Sequence, residues 1–190
     1  MTAEEEAALL SSVHSPAARW THLHGRRVQA LGGIVHERAG LLPAPLPKWL
    51  APLLARLATC SGSLFEGLSV NHVLVNEYAP GDGILHHQDG PAYHPAVAIV
   101  SLGSSAVLSF LPHASNLHSA GAAVFLPRRS LLLFAGDAYA THLHGIEGTR
   151  TDSMAGVCNA PAGAAHVERD GARVSLTCRA VTRVRDLLRK

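Results

Sequence analysis

Between Val73 and Phe110 the chain reads VLVNEYAPGDGILHHQDGPAYHPAVAIVSLGSSAVLSF, with His87 and Asp89, an imidazole and a carboxylate, two residues apart near its centre. In extended backbone, residues i and i+2 point to the same side, so both side chains can reach one ion. A third ligand must come from elsewhere. His142 and His144 share a face of the run HLHGI, and either could supply it. His144 is preferred because Gly145, which follows it, lets the backbone bend close to a bound ion; His142 is the alternative. Two imidazoles and one carboxylate on one face of an octahedron, with the other positions open, suit Fe(II) and its oxygen chemistry. Taken alone, His-x-Asp is a weak signal that a solvated turn would also produce.

Two further constellations bear on the same chemistry. Arg173-Val-Ser-Leu-Thr-Cys-Arg179 alternates with period two, which puts Arg173, Ser175, Thr177 and Arg179 on one face and Val174, Leu176 and Cys178 on the other. If the polar face turns inward, Arg173 can hold a carboxylate through two parallel hydrogen bonds, which a lysine cannot reproduce. The bland alternative is an edge strand with its arginines in water. Asn76 and Tyr78 repeat the i, i+2 spacing and offer an amide and a phenol to a second carboxylate. Such patches beside a metal describe a pocket for a short dicarboxylic acid.

The elements that must position these residues follow from periodicity. Residues 3–13, AEEEAALLSSV, read as a helix capped by Thr2, with glutamates in the first turn and Pro16 beyond its end. RWTHLHGRRVQALGGIVHE reads as two short strands or a flexible flap; its Arg26-Arg27 pair is either solvated or a phosphate contact. Pro43, Pro45 and Pro47 interrupt the chain, and Leu46–Cys60 follows as a second helix with Trp49, Leu50, Leu53, Leu54 and Leu57 at core-packing spacing. From position 71 the period becomes that of sheet. Strands are expected at His72–Tyr78, Val97–Leu102, Ala106–Leu111, Ala122–Leu126, Ser130–Phe134, His142–Ile146 and Arg173–Val181. Residues 147–171 are rich in Gly, Ala and polar side chains without periodicity, and are expected to form a mobile insertion. The basic end, VTRVRDLLRK, reads as a short helix or a frayed tail. Helices followed by short strands imply an α+β, mainly β domain built on a sandwich or barrel.

Composition narrows the class. A chain of 190 residues with 47% hydrophobic content fits one domain, 1–190, with N-terminal helices and flap in 1–60 and a β core in 71–185. No apolar run approaches the roughly 18 residues of a membrane span, and the acidic start MTAEEEAALL is unlike an export signal. Cys60, Cys158 and Cys178 form neither a disulfide framework nor a zinc pattern, which points to a reducing compartment, cytoplasm or nucleus. A net charge of +2 permits nucleic-acid binding without announcing it. Of the 13 histidines, His14, His22, His24, His36, His113, His118 and His166 fall in turns or polar stretches and are expected in solvent.

The succession NEYAPG, HQDG, SLGSSAVLSF, PRRSLLLFAG, LHGI and RVSLTCR resembles the AlkB family of Fe(II)/2-oxoglutarate dioxygenases over residues 3 to 185. GRRVQALGG, DGPAY and RVSLT most resemble its eukaryotic AlkB homologue six subfamily. The resemblance implies a double-stranded β-helix, or jelly roll, braced by two N-terminal helices. It also implies Fe(II), 2-oxoglutarate and O2 as cofactor and cosubstrates. By the same resemblance His87, Asp89 and His144 would bind iron, Arg173 and Tyr78 would hold the distal carboxylate of 2-oxoglutarate, Asn76 would contact its metal end, and Arg179 would line the pocket. The activity implied is oxidative dealkylation, in which an oxidised N-methyl carbon leaves as formaldehyde. Where base-demethylating relatives carry a stacking aromatic this chain has Leu31-Gly32, and Pro91 stands at a position acidic in several of them. The resemblance also places the chain start within the family's first helix, after an expected leading strand. The partner expected is RNA or DNA, with Arg26, Arg27, Arg183, Arg185, Arg189 and Lys190 as phosphate contacts. A protein side chain, and a non-catalytic module binding modified RNA, are the alternatives.

Overall fold

A computed structural model describes residues 1–113 and 120–185; His118, Arg189 and Lys190 lie outside the described residues. Helix α1 spans Ala3–Val13 and opens with a reciprocal cap: Glu5 N–H donates to Thr2 Oγ1 at 3.1 Å, and Thr2 N–H to the Glu5 carboxylate at 2.8 Å. Glu6 is buried, accepting from Arg128 Nη2 at 2.7 Å and from Gly103 N–H at 2.9 Å, so it fastens the helix to two turns of the β core. The second helix is shorter than expected. Pro47 keeps the chain extended, Lys48–Leu50 form a 3-10 turn, and α2 spans Ala51–Cys60. Its expected stripe holds: Leu50, Leu53 and Leu57 are buried.

In chain order the strands are β1 (Thr21–Leu23), β2 (Arg26–Leu31), β3 (Gly33–His36), β4 (Gly40–Pro43), β5 (His72–Tyr78), β6 (Ile84–His87), β7 (Ala96–Leu102), β8 (Ala106–Pro112), β9 (Ala122–Leu126), β10 (Leu131–Ala135), β11 (His142–Ile146), β12 (Thr151–Ser153), β13 (His166–Glu168) and β14 (Arg173–Arg179). A turn of helix, α3 (Asp137–Ala140), separates β10 from β11. One sheet has the order β1-β2-β5-β14-β7-β10 and the other β6-β11-β8-β9. All of their pairings are antiparallel, and the chain passes repeatedly between the two sheets, as in a jelly roll.

The larger sheet is two-faced. Val73 and Val75 of β5, Ala98 and Val100 of β7, and Leu176 and Cys178 of β14 pack under Val13, Leu50, Leu53 and Leu57. The other face, with Tyr78, Ile99 and Phe134, meets Leu108, Phe110 and Ile146 in a second apolar cluster between the sheets. The helices therefore brace the outside of one sheet.

One open alternative is decided and one expectation needs correction. Of the two readings of residues 19–37, two short strands or a flexible flap, strands hold: the segment supplies β1 and β2 to the larger sheet, where Arg27 through Leu31 pair with Glu77 through Val73, and adds β3, which pairs with β4. Leu31-Gly32 lies at the far end of β2, with Leu31 against the helix-side cluster, so it does not face the space between the sheets. Residues 147–171, expected as a mobile insertion without periodicity, contain the β12–β13 hairpin. Their anchor is long-range and invisible to periodicity. Arg169 donates from Nε and Nη2 to both oxygens of Asp152 at 2.8 and 2.7 Å, with both side chains 3% exposed, while Nη1 reaches the Asp82 carbonyl at 2.9 Å. Met154 and Val157 pack on Phe125 beside them. His14, expected in solvent, is exposed but pairs with Glu77 and stacks on Trp20, whereas His22, His24, His36 and His166 are exposed as expected. No helix among the described residues is long and apolar enough to cross a membrane.

Removing one partner of a buried ion pair leaves an uncompensated charge, at a cost of about 3–5 kcal/mol. Arg169→Leu is expected to lose that much stability in urea denaturation. Arg169→Leu with Asp152→Leu is expected to lose much less.

Candidate active site

The inward face of the larger sheet is polar where the outward face is apolar. Leu74, Asn76 and Tyr78 of β5, and Arg173, Ser175, Thr177 and Arg179 of β14, line one cavity of about 220 Å³. The register sets Arg173 opposite Tyr78 and Ser175 opposite Asn76, so the two strands present their polar residues as a single patch. The opposite sheet contributes Ile84, His87, Leu108, His144 and Ile146, and Asp89 follows just beyond β6.

His87 and His144 are direct partners across β6 and β11, with ring centroids 4.4 Å apart. With Asp89 they form a group whose ligand atoms all lie within 4.8 Å of one another, a set that could hold a metal ion. The Leu85 carbonyl accepts from His87 Nδ1 at 2.8 Å, which leaves the Nε2 lone pair for a ligand role. Burial pulls the His144 imidazole down to about 4 against the opposing pull of the Asp89 carboxylate, so the ring is neutral, as a metal ligand must be. The Asp89 side chain is 5% exposed, and its Oδ1 accepts from Arg179 Nη1 at 2.9 Å. Its Oδ2 is buried without a hydrogen-bond partner. A buried carboxylate oxygen without a donor is costly, and a cation beside it removes that cost. The donor set and the orphaned oxygen fit Fe(II).

At the other end of the cavity Arg173 is 2% exposed. Nη2 donates to Ser101 Oγ at 2.8 Å, but Nε and Nη1 are buried without acceptors. Complete burial pulls the group down only to about 10, so the guanidinium stays charged at neutral pH. Two free donors on a buried cation fit a carboxylate that arrives with a ligand. The four orphaned atoms of Asp89, Arg173 and Arg179 (whose Nε also lacks a partner) all belong to residues that line this one cavity.

All seven residues singled out from the sequence as site residues therefore line one cavity. His142 does not: its ring bonds to the Asp137 and Ala120 carbonyls at 3.0 and 3.3 Å and is absent from the lining. Gly145 has a different reason from the one expected. A Cβ there would lie 3.0 Å from His86 Cγ, His86 N and the Ile84 carbonyl, so the glycine lets β6 close on β11 and brings His87 to His144. The sequence reading missed Arg26 as a lining residue, expecting it in water or on a phosphate; its Nε donates to Asn76 Oδ1 at 3.1 Å. It also missed the support behind Arg179, whose guanidinium lies 4.5 Å from the centre of the Tyr93 ring. A wider groove of about 960 Å³ adjoins the cavity and shares Arg26, Ile84, His87 and Ile146 with it.

Residues 10–179 match the family model of the 2OG-Fe(II) oxygenase superfamily. The chain is 37% identical over 195 residues to a Danio rerio protein named probable RNA/DNA demethylase ALKBH6, covering 96% of this chain and 82% of that one. It is 30% identical over 211 residues to the Mus musculus tRNA (carboxymethyluridine(34)-5-O)-methyltransferase ALKBH8, covering 97% of this chain but 30% of that longer protein. Among solved structures, a 2OG-Fe(II) oxygenase family oxidoreductase from Burkholderia pseudomallei superposes with a TM-score of 0.61 at 14% identity, covering 97% of this chain and 84% of that one. OsALKBH1 superposes with a TM-score of 0.55 at 18% identity, covering 93% and 90%. At such identities the structural likeness concerns the fold, a jelly roll, while the family match spans nearly the whole chain and both ends of the cavity. The chain belongs to the 2OG-Fe(II) oxygenase superfamily and is a dioxygenase of AlkB type.

Proposed function

We propose that this dioxygenase removes N-alkyl groups from RNA or DNA, with His87, Asp89 and His144 holding Fe(II). The observation that carries the site assignment is the meeting of these three side chains with the free donors of Arg173 in one small cavity. Arg173 and Tyr78 would receive the distal carboxylate of 2-oxoglutarate. Asn76 would meet its metal end through Nδ2, which has only two long contacts of 3.4 Å, to the Leu74 carbonyl and to Thr177 Oγ1. Arg179 would orient Asp89 by holding Oδ1 and leaving Oδ2 for the ion. When bound, iron with 2-oxoglutarate and O2 supplies an oxidant for a C–H bond beside nitrogen. Ile84, Ile99, Leu108 and Ile146 line the same space and keep water from it. A cavity of about 220 Å³ suits a short dicarboxylic acid, and a larger substrate would approach along the adjoining groove. Support for a nucleic-acid substrate comes from the relatives, one named a probable RNA/DNA demethylase and another a tRNA methyltransferase.

Succinate formed from 2-oxoglutarate with added Fe(II) measures the assignment. The wild-type protein is expected to turn over, and His87→Ala and Asp89→Ala are not; turnover surviving either change would place the metal elsewhere. Arg173→Lys keeps the charge but loses the fork, so KM for 2-oxoglutarate is expected to rise about ten- to hundredfold, from the roughly 1.5–3 kcal/mol of a charged hydrogen bond. Formaldehyde release screened over methylated RNA, methylated DNA and methylated peptides identifies the substrate. Release from RNA or DNA is the expected result, and release from peptides alone would overturn the nucleic-acid reading.

A further inference from the structure

Arg26 stands where the narrow cavity opens into the wider groove and lines both. It opens β2 directly after Gly25, which has φ +70 and would bring a Cβ within 2.8 Å of the Gly83 carbonyl. The β1–β2 turn can therefore close on the loop that leads into β6 and His87. Arg26 shares the inward face with Asn76 and Tyr78, whereas its neighbour Arg27 points to the outer face and pairs with Glu77 at 2.7 Å.

The charge environment of Arg26 sets it apart from the other two arginines that line the cavity. Arg179 is matched by Asp89, and Arg173 by the carboxylate it would receive. Arg27, Arg56, Arg128 and Arg169 each pair with a carboxylate. Arg26 has none among the described residues; its Nε is held by the neutral Asn76 amide, which orients the guanidinium. Asp82 and Glu147 line the same groove but do not pair with it. A half-buried, oriented cation without a counter-charge, at the mouth of a site whose other charges are accounted for, is a place for an anion carried by the substrate.

We propose that Arg26 is a specificity-determining contact for a backbone phosphate of the substrate strand, next to the nucleotide whose alkyl group enters the cavity; this rests on the nucleic-acid reading above. The enzyme then acts on a strand rather than on a free nucleoside, because the nucleoside lacks the anion that Arg26 receives.

The test is binding of a fluorescent, unmodified single-stranded RNA of mixed sequence to the full-length protein loaded with Mn(II) and 2-oxoglutarate, measured across a salt series. Arg26→Gln is expected to weaken binding about tenfold at low salt and to lower the slope of log K against log salt by about one, while Arg26→Lys keeps most of the slope. Wild-type binding with an unchanged slope in Arg26→Gln overturns the role of Arg26 and leaves the nucleic-acid reading standing. A loss confined to 2-oxoglutarate affinity assigns Arg26 to the cosubstrate and likewise overturns it. No wild-type binding to single-stranded RNA or DNA at low salt sinks both.

Discussion

The site depends on one strand having two incompatible faces. β14 turns Val174, Leu176 and Cys178 toward the helix-braced core, and that burial fixes the opposite parity as well. Arg173, Ser175, Thr177 and Arg179 have nowhere to go but inward. A slip of one residue would bury arginines among leucines and empty the cavity of its charge. The apolar packing outside thus holds the polar patch inside against its own tendency to seek water. The helices need no contact with the cavity to be required by it.

Holding unsatisfied atoms of charged groups in a dry place is unfavourable, and among the described residues those atoms all belong to the lining of one cavity. Asp89 Oδ2, Arg173 Nε and Nη1, and Arg179 Nε lack partners. Elsewhere the buried charges are matched: Glu6 has Arg128 and the Gly103 N–H, and Asp152 has both forks of Arg169. Such contrast is what a ligand site looks like before the ligand, because the missing partners arrive with it. It also explains how a neutral His144 and a charged Arg173 can share about 220 Å³.

Much of this was legible from local patterns. Alternation marked β5, β9 and β11 to the residue, and it placed Asn76 with Tyr78 and Arg173 with Arg179 on common faces. The His87–Asp89 spacing survived although β6 ends at His87, since both side chains still meet His144. Contacts distant in sequence were not legible. Nothing near Arg169 announces Asp152, so the 147–171 segment read as loose when a buried ion pair ties it down. Nothing near Arg26 announces Asn76, fifty residues on, so an arginine of the cavity mouth read as a surface cation, solvated or on a phosphate. The four-residue β6 and the proline-bounded β4 are too short for periodicity to register. Short strands of this kind exist only through their partners.

The central claim is that side chains at 87, 89 and 144 converge on one ion beside a cosubstrate held by Arg173. Anaerobic titration of the protein with Fe(II) in the presence of 2-oxoglutarate tests it most directly, through the visible absorption band that chelation of iron by a 2-keto acid produces. The band is expected to saturate at one iron per chain in the wild type and to be absent from a folded His144→Ala variant. A band of full intensity in that variant, with His142 left to supply the ligand, would contradict it.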